Sequence, residues 1–349
     1  MLTLHVLEDE GALEDLCPAW EHLERHCPEI GPFQTAAWQR AWRATLGRRT
    51  KPSVLVGRQG GEVVGVFPLA KTWTPFPTWR SAGAGPSDYL GPVALPASSA
   101  EFFALSQEWL QDRARSHVID LHQVRVTGAH FEYDAQTNLT QGASLLLALP
   151  DRWETYFAGL SKSLRYDLRG MVRKPEELRI TLETGERGLE ILTALHRERW
   201  RARWLPGAFT PAILRFHQVW LRNTGPTHAE FPVLWRKNEP VGALYLMRIG
   251  DRVCFYQAGF HPAAKSISPG SVLVGDAIRR AIQDGSSTFD FLRGDEPYKR
   301  RWKPNATIRH SRLVSFPRTL SGAAARVATM GIHGVEQQVR RRVEGRGLR

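Results

Sequence analysis

The chain has 349 residues, of which 42% are hydrophobic and 23% charged, with 12 Trp; that balance excludes disordered and fibrous classes and suits two folded domains of roughly 150 residues each. No apolar run approaches the roughly 20 residues of a membrane span, and Cys17, Cys27 and Cys254 are too scattered for a disulfide framework or a Cys-rich metal site. The net charge of +12 favours an anionic partner, and coenzyme A phosphates, a nucleotide-linked sugar, tRNA and an anionic membrane surface all match it.

The opening MLTLHVLEDE lacks the basic, apolar and small-residue succession of a secretory signal, which predicts a cytoplasmic protein. Leu2 to Leu7 reads as a strand, and the next helix carries Leu13, Leu16, Trp20 and Leu23 on one stripe. His22 and His26 share a face there, but no third ligand has a convincing spacing, so no metal is expected. Trp38 and Trp42, one turn apart on a second helix, read as core. Pro52 to Lys71 reads as a hairpin turning at Gln59-Gly60-Gly61. The Gly-rich run from Trp79 to Pro92 has neither the spacing of a dinucleotide fingerprint nor a following helix, so Gly83 and Gly85 are expected to form a turn. A helix at Glu101 to Ala114 and strands at Val118 to Leu121 and Ser144 to Leu149 lead to Pro150-Asp151. This is the expected boundary between a first domain, 1–150, and a second, 151–317, followed by a tail, 318–349.

From Asp151 a helical pattern runs to about Val172 and puts Lys162, Arg165, Arg169 and Arg173 on one face, either a solvated surface or a holder of phosphates. A helix from Gly188 to Trp204 turns Leu189, Leu192 and Leu195 inward and sets Trp200 and Trp204 among Arg199, Arg201 and Arg203. After a further helix, Pro211 to Asn223, the hairpin returns: Phe231 to Arg236, a turn, then Val241 to Ile249. Glu62-Val63-Val64-Gly65 lines up with Glu239-Pro240-Val241-Gly242, which suggests duplication of one fold. The basic tail is expected to be mobile, with one helix near Val335 to Val343. It can touch an anionic membrane but is poor in apolar residues, and a solubilising role suits it better.

Most of the chemistry lies between Arg252 and Trp302. A strand to Phe260 opens into a polar loop; Ser268 then suits an N-cap, Pro269 the first helical position, and apolar residues recur at helical spacing until Gly285. The N–H groups of Gly270, Ser271 and Val272 would face outward at the positive helix end, which favours a phosphate or pyrophosphate, although an ordinary helix start has the same composition. Ser287 to Leu292 forms a short strand with Phe289 and Phe291 on one face and Thr288, Asp290 and Leu292 on the other. Open α/β sheets place reacting groups past strand ends, which makes Asp295, Glu296, Tyr298 and Lys299 the site candidates, with a solvated charged turn as the alternative.

FDFLRGDEPYKRRW, preceded by a YQAGFHP strand and an SPG-initiated helix, resembles the acetyltransferase-like domain of the GNAT superfamily found in CelD-type and FemAB-related proteins, over about Phe33 to Arg312. The resemblance implies a tandem GNAT-like α/β fold, with mixed sheets flanked by helices. It also implies an N-acyltransferase that uses acetyl-CoA or another acyl-CoA, without a metal, on an amine of a small-molecule, sugar or cell-envelope precursor, expected to be anionic. In that scheme Tyr256, Gln257 and Ala258 polarise the acyl carbonyl through backbone N–H groups, and Ser268, Gly270, Ser271 and Val272 hold the coenzyme pyrophosphate. Asp295 or Glu296 is the base and Tyr298 the acid, while Lys299 neutralises a substrate anion or pairs with the carboxylates. The Ser87-Asp88-Tyr89 segment resembles an SDYL run of CelD-type relatives, which puts Asp88 and Tyr89 on the substrate side; the resemblance likewise brings Arg165 and Arg169 near the phosphates of donor or acceptor. Two other readings stay open: a FemAB-like transfer of an aminoacyl group from charged tRNA, and a non-catalytic accessory protein of polysaccharide or lipid assembly. No nucleophile elbow, zinc motif or Walker motif offers another.

Overall fold

In the computed structural model the described residues are 1–73, 75–125, 131–169, 177–201, 207–225 and 228–347. Two compact units emerge, unit 1 from Met1–Gln141 with Arg309–Arg349, and unit 2 from Gly142–Ile308.

Unit 1 contains β1 (Leu2–Leu7), α1 (Glu10–His26), α2 (Ala36–Ala44), β2 (Lys51–Gln59), β3 (Glu62–Thr72), β4 (Thr78–Ser81), β5 (Val93–Ala94), α3 (Ser99–Arg113) and β6 (Val118–Arg125). Its strands run in the order β1-β2-β3-β4-β6, with β5 beside β3, and only β4 and β6 are parallel. Asp9 accepts the Ala12 N–H at 3.0 Å and starts α1, whose stripe of Leu13, Leu16, Trp20 and Leu23 is buried as its spacing requires.

Unit 2 contains most of β7 (Thr137–Ala148), then α4 (Trp153–Gly159), α5 (Lys162–Leu168), β8 (Leu178–Glu183), α6 (Gly185–Arg201), α7 (Pro211–Asn223), β9 (Ala229–Arg236), β10 (Glu239–Ile249), β11 (Arg252–Phe260), α8 (Pro269–Gln283), β12 (Thr288–Arg293) and α9 (Pro297–Arg300). The order here is β7-β12-β11-β10-β9-β8, and only β11 and β12 are parallel. Buried on α8 are Val272, Leu273, Ala277, Ile278, Ala281 and Ile282, which join Leu244, Phe289 and Phe291 in one core. Each large apolar side chain there contributes about 1.5–3 kcal/mol. Because the sheet is covered on both faces, Asp290 is as buried as Phe289 and Phe291, and the alternation expected for this strand has no solvent side.

The sequence repeat has a packing reason. A Cβ at Gly65 would lie 2.5 Å from the Phe102 ring of α3, and a Cβ at the aligned Gly242 would lie 3.0 Å from Pro269 of α8. In both units a glycine on the second hairpin strand lets the crossover helix lie close to the sheet.

Three expectations need correction. The first unit ends at Gln141, not at 150, because residues 144–148 of β7 pair with β12, whereas β13 (Ala306–Ser315) pairs with β6. Pairing partners, rather than position in sequence, assign those strands. The helix expected from Asp151 to Val172 is broken at Leu160, which is extended, and Ser161 caps a fresh start by accepting the Leu164 N–H at 3.3 Å; residues 170–173 lie outside the described residues, as do Arg203 and Trp204. The tail is helical from its beginning, as α10 (Leu320–Gly347), and Ala325 packs against Val118, Val314 and Phe316 of unit 1. No helix among the described residues is long and apolar enough to cross a membrane.

Candidate functional site

β11 and β12 are in parallel register at Arg252–Thr288, Val253–Phe289 and Cys254–Asp290, and among the described residues they share no pairing beyond that point. Past the split, β11 carries a bulge. Its register with β10 passes from Tyr245–Gln257 to Leu246–Phe255, leaving Tyr256 as the extra residue. β12 bends away at Leu292, whose φ is 54°, with Asp290 Oδ1 accepting the Leu292 N–H at 2.8 Å. A wedge therefore opens between the ends of two strands, as a switch point of an α/β sheet requires.

The start of α8 faces the end of β11. Ser268 does not cap it with a side chain; its backbone is left-handed (φ 48°), ending a 3-10 turn over Pro262–Ile267, and its N–H donates to Lys265 O at 3.1 Å. The Val272 N–H donates to Ser268 O at 3.1 Å, and its side chain is core. Of the expected amides, only those of Gly270 and Ser271 lack a partner among the described residues. Gly270 is not simply open space, since a Cβ there would meet Phe260 Cζ at 3.2 Å. The first turn of α8 contains no acidic residue, which leaves its positive end uncompensated.

At the bulge, the Ala258 N–H donates to Gln257 Oε1 at 3.1 Å, and the Tyr256 hydroxyl lies 3.3 Å from His217 Nε2. The other His217 nitrogen lies 3.4 Å from the Tyr245 hydroxyl. Burial pushes the His217 ring down to about 3, so it stays neutral between two phenols.

The segment after β12 folds back as a clamp. Lys299, 4% exposed, donates to the carbonyls of Arg293 at 2.8 Å and Gly294 at 3.2 Å, and pairs with Glu296 Oε2 at 3.0 Å. Its three donors are engaged within the turn, so pairing with a carboxylate describes it, and neutralising a substrate anion does not. Asp295 pairs with Arg300 on the surface. Tyr298 is 44% exposed, yet burial of its hydroxyl and the nearby Glu296 charge raise the phenol above its ordinary value, with Arg199 acting the other way. Arg199 also lies 5.3 Å from the Phe260 ring. Tyr298, Glu296, Arg199 and Phe260 thus border one place, beside Gly270.

The remaining candidates lie elsewhere. Arg165 donates to Ala158 O at 3.1 Å and closes the end of α4, while Arg169 lies over the Phe157 ring at 5.4 Å; Lys162 is exposed at the start of α5. Leu168 of α5 fills the space left by Gly275, midway along α8. Asp88 and Tyr89 belong to the interior of unit 1. Tyr89 is fully buried, with Arg125 over its ring at 4.4 Å and Phe33 at its edge, which removes it from any substrate surface. Sequence reasoning missed Arg199, His196 and His217. The two histidines follow Leu195 and Phe216 on inward helix faces, and that position was the available signal. Among the described residues no group of three or more His, Cys, Asp or Glu could hold a metal.

No curated protein matches the chain by sequence. Among solved structures, FemX is similar over 87% of this chain and 96% of its own, at 12% identity and a TM-score of 0.62. A domain from Agrobacterium fabrum, described as the C-terminal domain of a lysylphosphatidylglycerol synthetase, is similar over 91% and 95%, at 13% identity and 0.57. L-PGS from Bacillus licheniformis is similar over 93% and 95%, at 12% identity and 0.53. At such identities the likeness is one of fold. Residues 162–300 match the family model described as an acetyltransferase (GNAT) domain, so that within this mixed α/β fold unit 2 holds the GNAT-like segment.

Proposed function

We propose that the chain is a GNAT-type N-acyltransferase that moves an acyl group, acetyl in the simplest case, from acyl-CoA to an amine of a small-molecule, sugar or cell-envelope precursor. The observation that carries this reading is the parting of β11 and β12 beside the unpartnered amides of Gly270 and Ser271. Those amides and the helix end hold the coenzyme pyrophosphate. The thioester lies along the end of β11, where its carbonyl oxygen takes the place of Gln257 Oε1 on the Ala258 N–H. The amine nitrogen attacks the thioester carbon, the C–N bond forms and the C–S bond breaks. Glu296, oriented by Lys299, accepts the ammonium proton; Tyr298, whose raised phenol stays protonated at neutral pH, donates to the leaving thiolate. Asp295, tied to Arg300, shapes the turn.

Release of thiol from acetyl-CoA with a panel of amines tests these roles. Glu296→Gln lowers turnover by roughly 100-fold at neutral pH, with partial recovery at high pH where free amine is plentiful, and Tyr298→Phe lowers it by about tenfold. Wild-type rates in both variants would remove the pair from the chemistry. A second reading, transfer of an aminoacyl group from charged tRNA, is favoured by the fold likeness to FemX and to the lysylphosphatidylglycerol synthetase domain and by the net charge of +12. It requires tRNA binding that weakens with salt by a log-log slope of about 0.7–0.9 per phosphate contacted, which a coenzyme-only enzyme lacks.

A further inference from the structure

A cavity of about 320 Å³ opens between the end of α6 and the start of α7, lined among others by His196, Arg197, Trp200, Arg201, Phe209 and Leu214. The chemistry proposed above uses none of these side chains. His196 is 2% exposed, and its Nε2 accepts the Trp200 Nε1–H at 2.7 Å, so its own proton sits on Nδ1. Nδ1 has no partner among the described residues. A side chain at Gly207 would cover it, since a Cβ there would lie 3.0 Å from Nδ1; glycine leaves this face of the ring open to the cavity. Burial, then Arg199, push the ring down to about 4, which keeps it neutral and fixes Nδ1–H as a donor at neutral pH.

Around that donor, Trp200 and the Phe209 edge, 5.0 Å from the His196 ring centre, supply flat apolar walls. Arg197 and Arg201 stand exposed at the mouth. The cavity also borders the bulge of β11. The backbone N of His196 is 2.7 Å from where a Gly259 Cβ would be, and Phe209 meets the edge of His217, which reaches the Tyr256 hydroxyl. A buried N–H donor, two aromatic walls and two guanidinium groups select a carboxylate carried on an aromatic body. The volume suits a compound of amino-acid size.

We infer that this cavity is the acceptor pocket and that the acceptor is an amine bearing a carboxylate on an aromatic body, its anion held by His196 Nδ1–H, Arg197 and Arg201. The inference rests on the acyltransferase reading for the word acceptor, but its test needs no coenzyme. L-phenylalanine, phenylalaninamide and phenethylamine serve as probes in calorimetric titrations of the full chain. L-phenylalanine binds, and both compounds lacking the carboxylate bind about tenfold or more weakly, as loss of a charge-assisted hydrogen bond predicts. The Arg197→Ala, Arg201→Ala double variant alters exposed side chains only, so it folds, and it reduces L-phenylalanine affinity to that of the amide. Phe209→Ala weakens all three probes. Equal binding of acid and amide, no saturable binding of L-phenylalanine, or indifference to the double variant overturns the pocket assignment. Failure of coenzyme binding in a separate titration would overturn the donor reading alone.

Discussion

The two units meet the same junction and resolve it differently. In unit 1, β4 and β6 are parallel at Thr78–Val118, Trp79–Ile119 and Arg80–Asp120 before they part; in unit 2, β11 and β12 part after Cys254–Asp290. Each pair ends its register at an aspartate. In unit 1 the chain itself closes the split: Leu90 bridges to Val124, its N–H donates to Gln123 O at 3.0 Å, and Tyr89 is buried beneath. Asp120 is engaged by Arg312 at 2.7 and 2.9 Å and by His122 at 3.2 Å. The crossover helix α3 carries Glu101 in its first turn, accepting the Leu2 N–H at 3.3 Å. Unit 2 has no acid in the first turn of α8 and no strand bridging its split among the described residues. One topology thus gives once a filled split and once an open one, which in the proposed reading is the donor cleft, and the difference lies in a few residues at the split.

The comparison breaks most sharply at Ser271. Ser271→Asp gives α8 the acid that α3 already has; a carboxylate in a first turn favours the helix, so the fold survives, while repulsion of the pyrophosphate weakens coenzyme affinity by roughly 100- to 1,000-fold. Gly270→Asp is a poorer probe, because Phe260 occupies the space its side chain needs. Glu101→Gln in unit 1 leaves coenzyme affinity unchanged. Calorimetry reads both, and equal effects in the two units would erase the distinction.

Next in size is the clamp that unit 2 places after its split. Lys299→Met leaves the Arg293 and Gly294 carbonyls without their buried donor and lowers stability by about 2–3 kcal/mol, measured by urea unfolding. A loss below the error of the midpoint would mean that the turn holds itself.

The last effects are pH dependences of opposite sign. In unit 2, His196 and His217 are held down to about 4 and about 3. Between the ordinary 6.5 and those values the unfolded chain binds more protons, so stability falls as pH falls through that window. Burial raises Glu24 of unit 1 to about 7, with the Ala36 N–H acting against it. The folded unit then binds the extra proton between pH 4.5 and about 7, and stability falls as pH rises. Asp120 is lowered, its burial outweighed by His122 and Arg312, so its contribution to unit 1 is full above about pH 3.8 and is lost progressively as pH falls below that value. Unfolding followed by probes in each unit across pH 4–8 checks the signs, and His217→Asn and Glu24→Gln should each flatten one limb.

What the sequence made legible was local. Period-two runs and turn residues marked both hairpins, the aligned segments marked the repeat, and Pro269 marked the start of α8. Non-local pairing was not legible: β7 carries no mark saying that residues 144–148 pair with β12, nor β13 that it pairs with β6. The site was legible as a segment more than as roles. Lys299 looked like part of a charged turn because composition does not show that Gly294, at φ 116°, turns two carbonyls toward it. Tyr89 is put on the substrate side by the SDYL resemblance alone, which does not show that its ring is buried between Arg125 and Phe33. His196 became visible only when Gly207 was found to leave its ring open.

Hydrogen exchange with and without acetyl-CoA tests the central claim most directly, because it reads both junctions in one sample. The predicted result is new protection in peptides covering 254–260 and 268–274, with none in those covering 78–82 and 97–103. Protection in the unit 1 peptides, or none in either set while acetyl-CoA is bound, would contradict it.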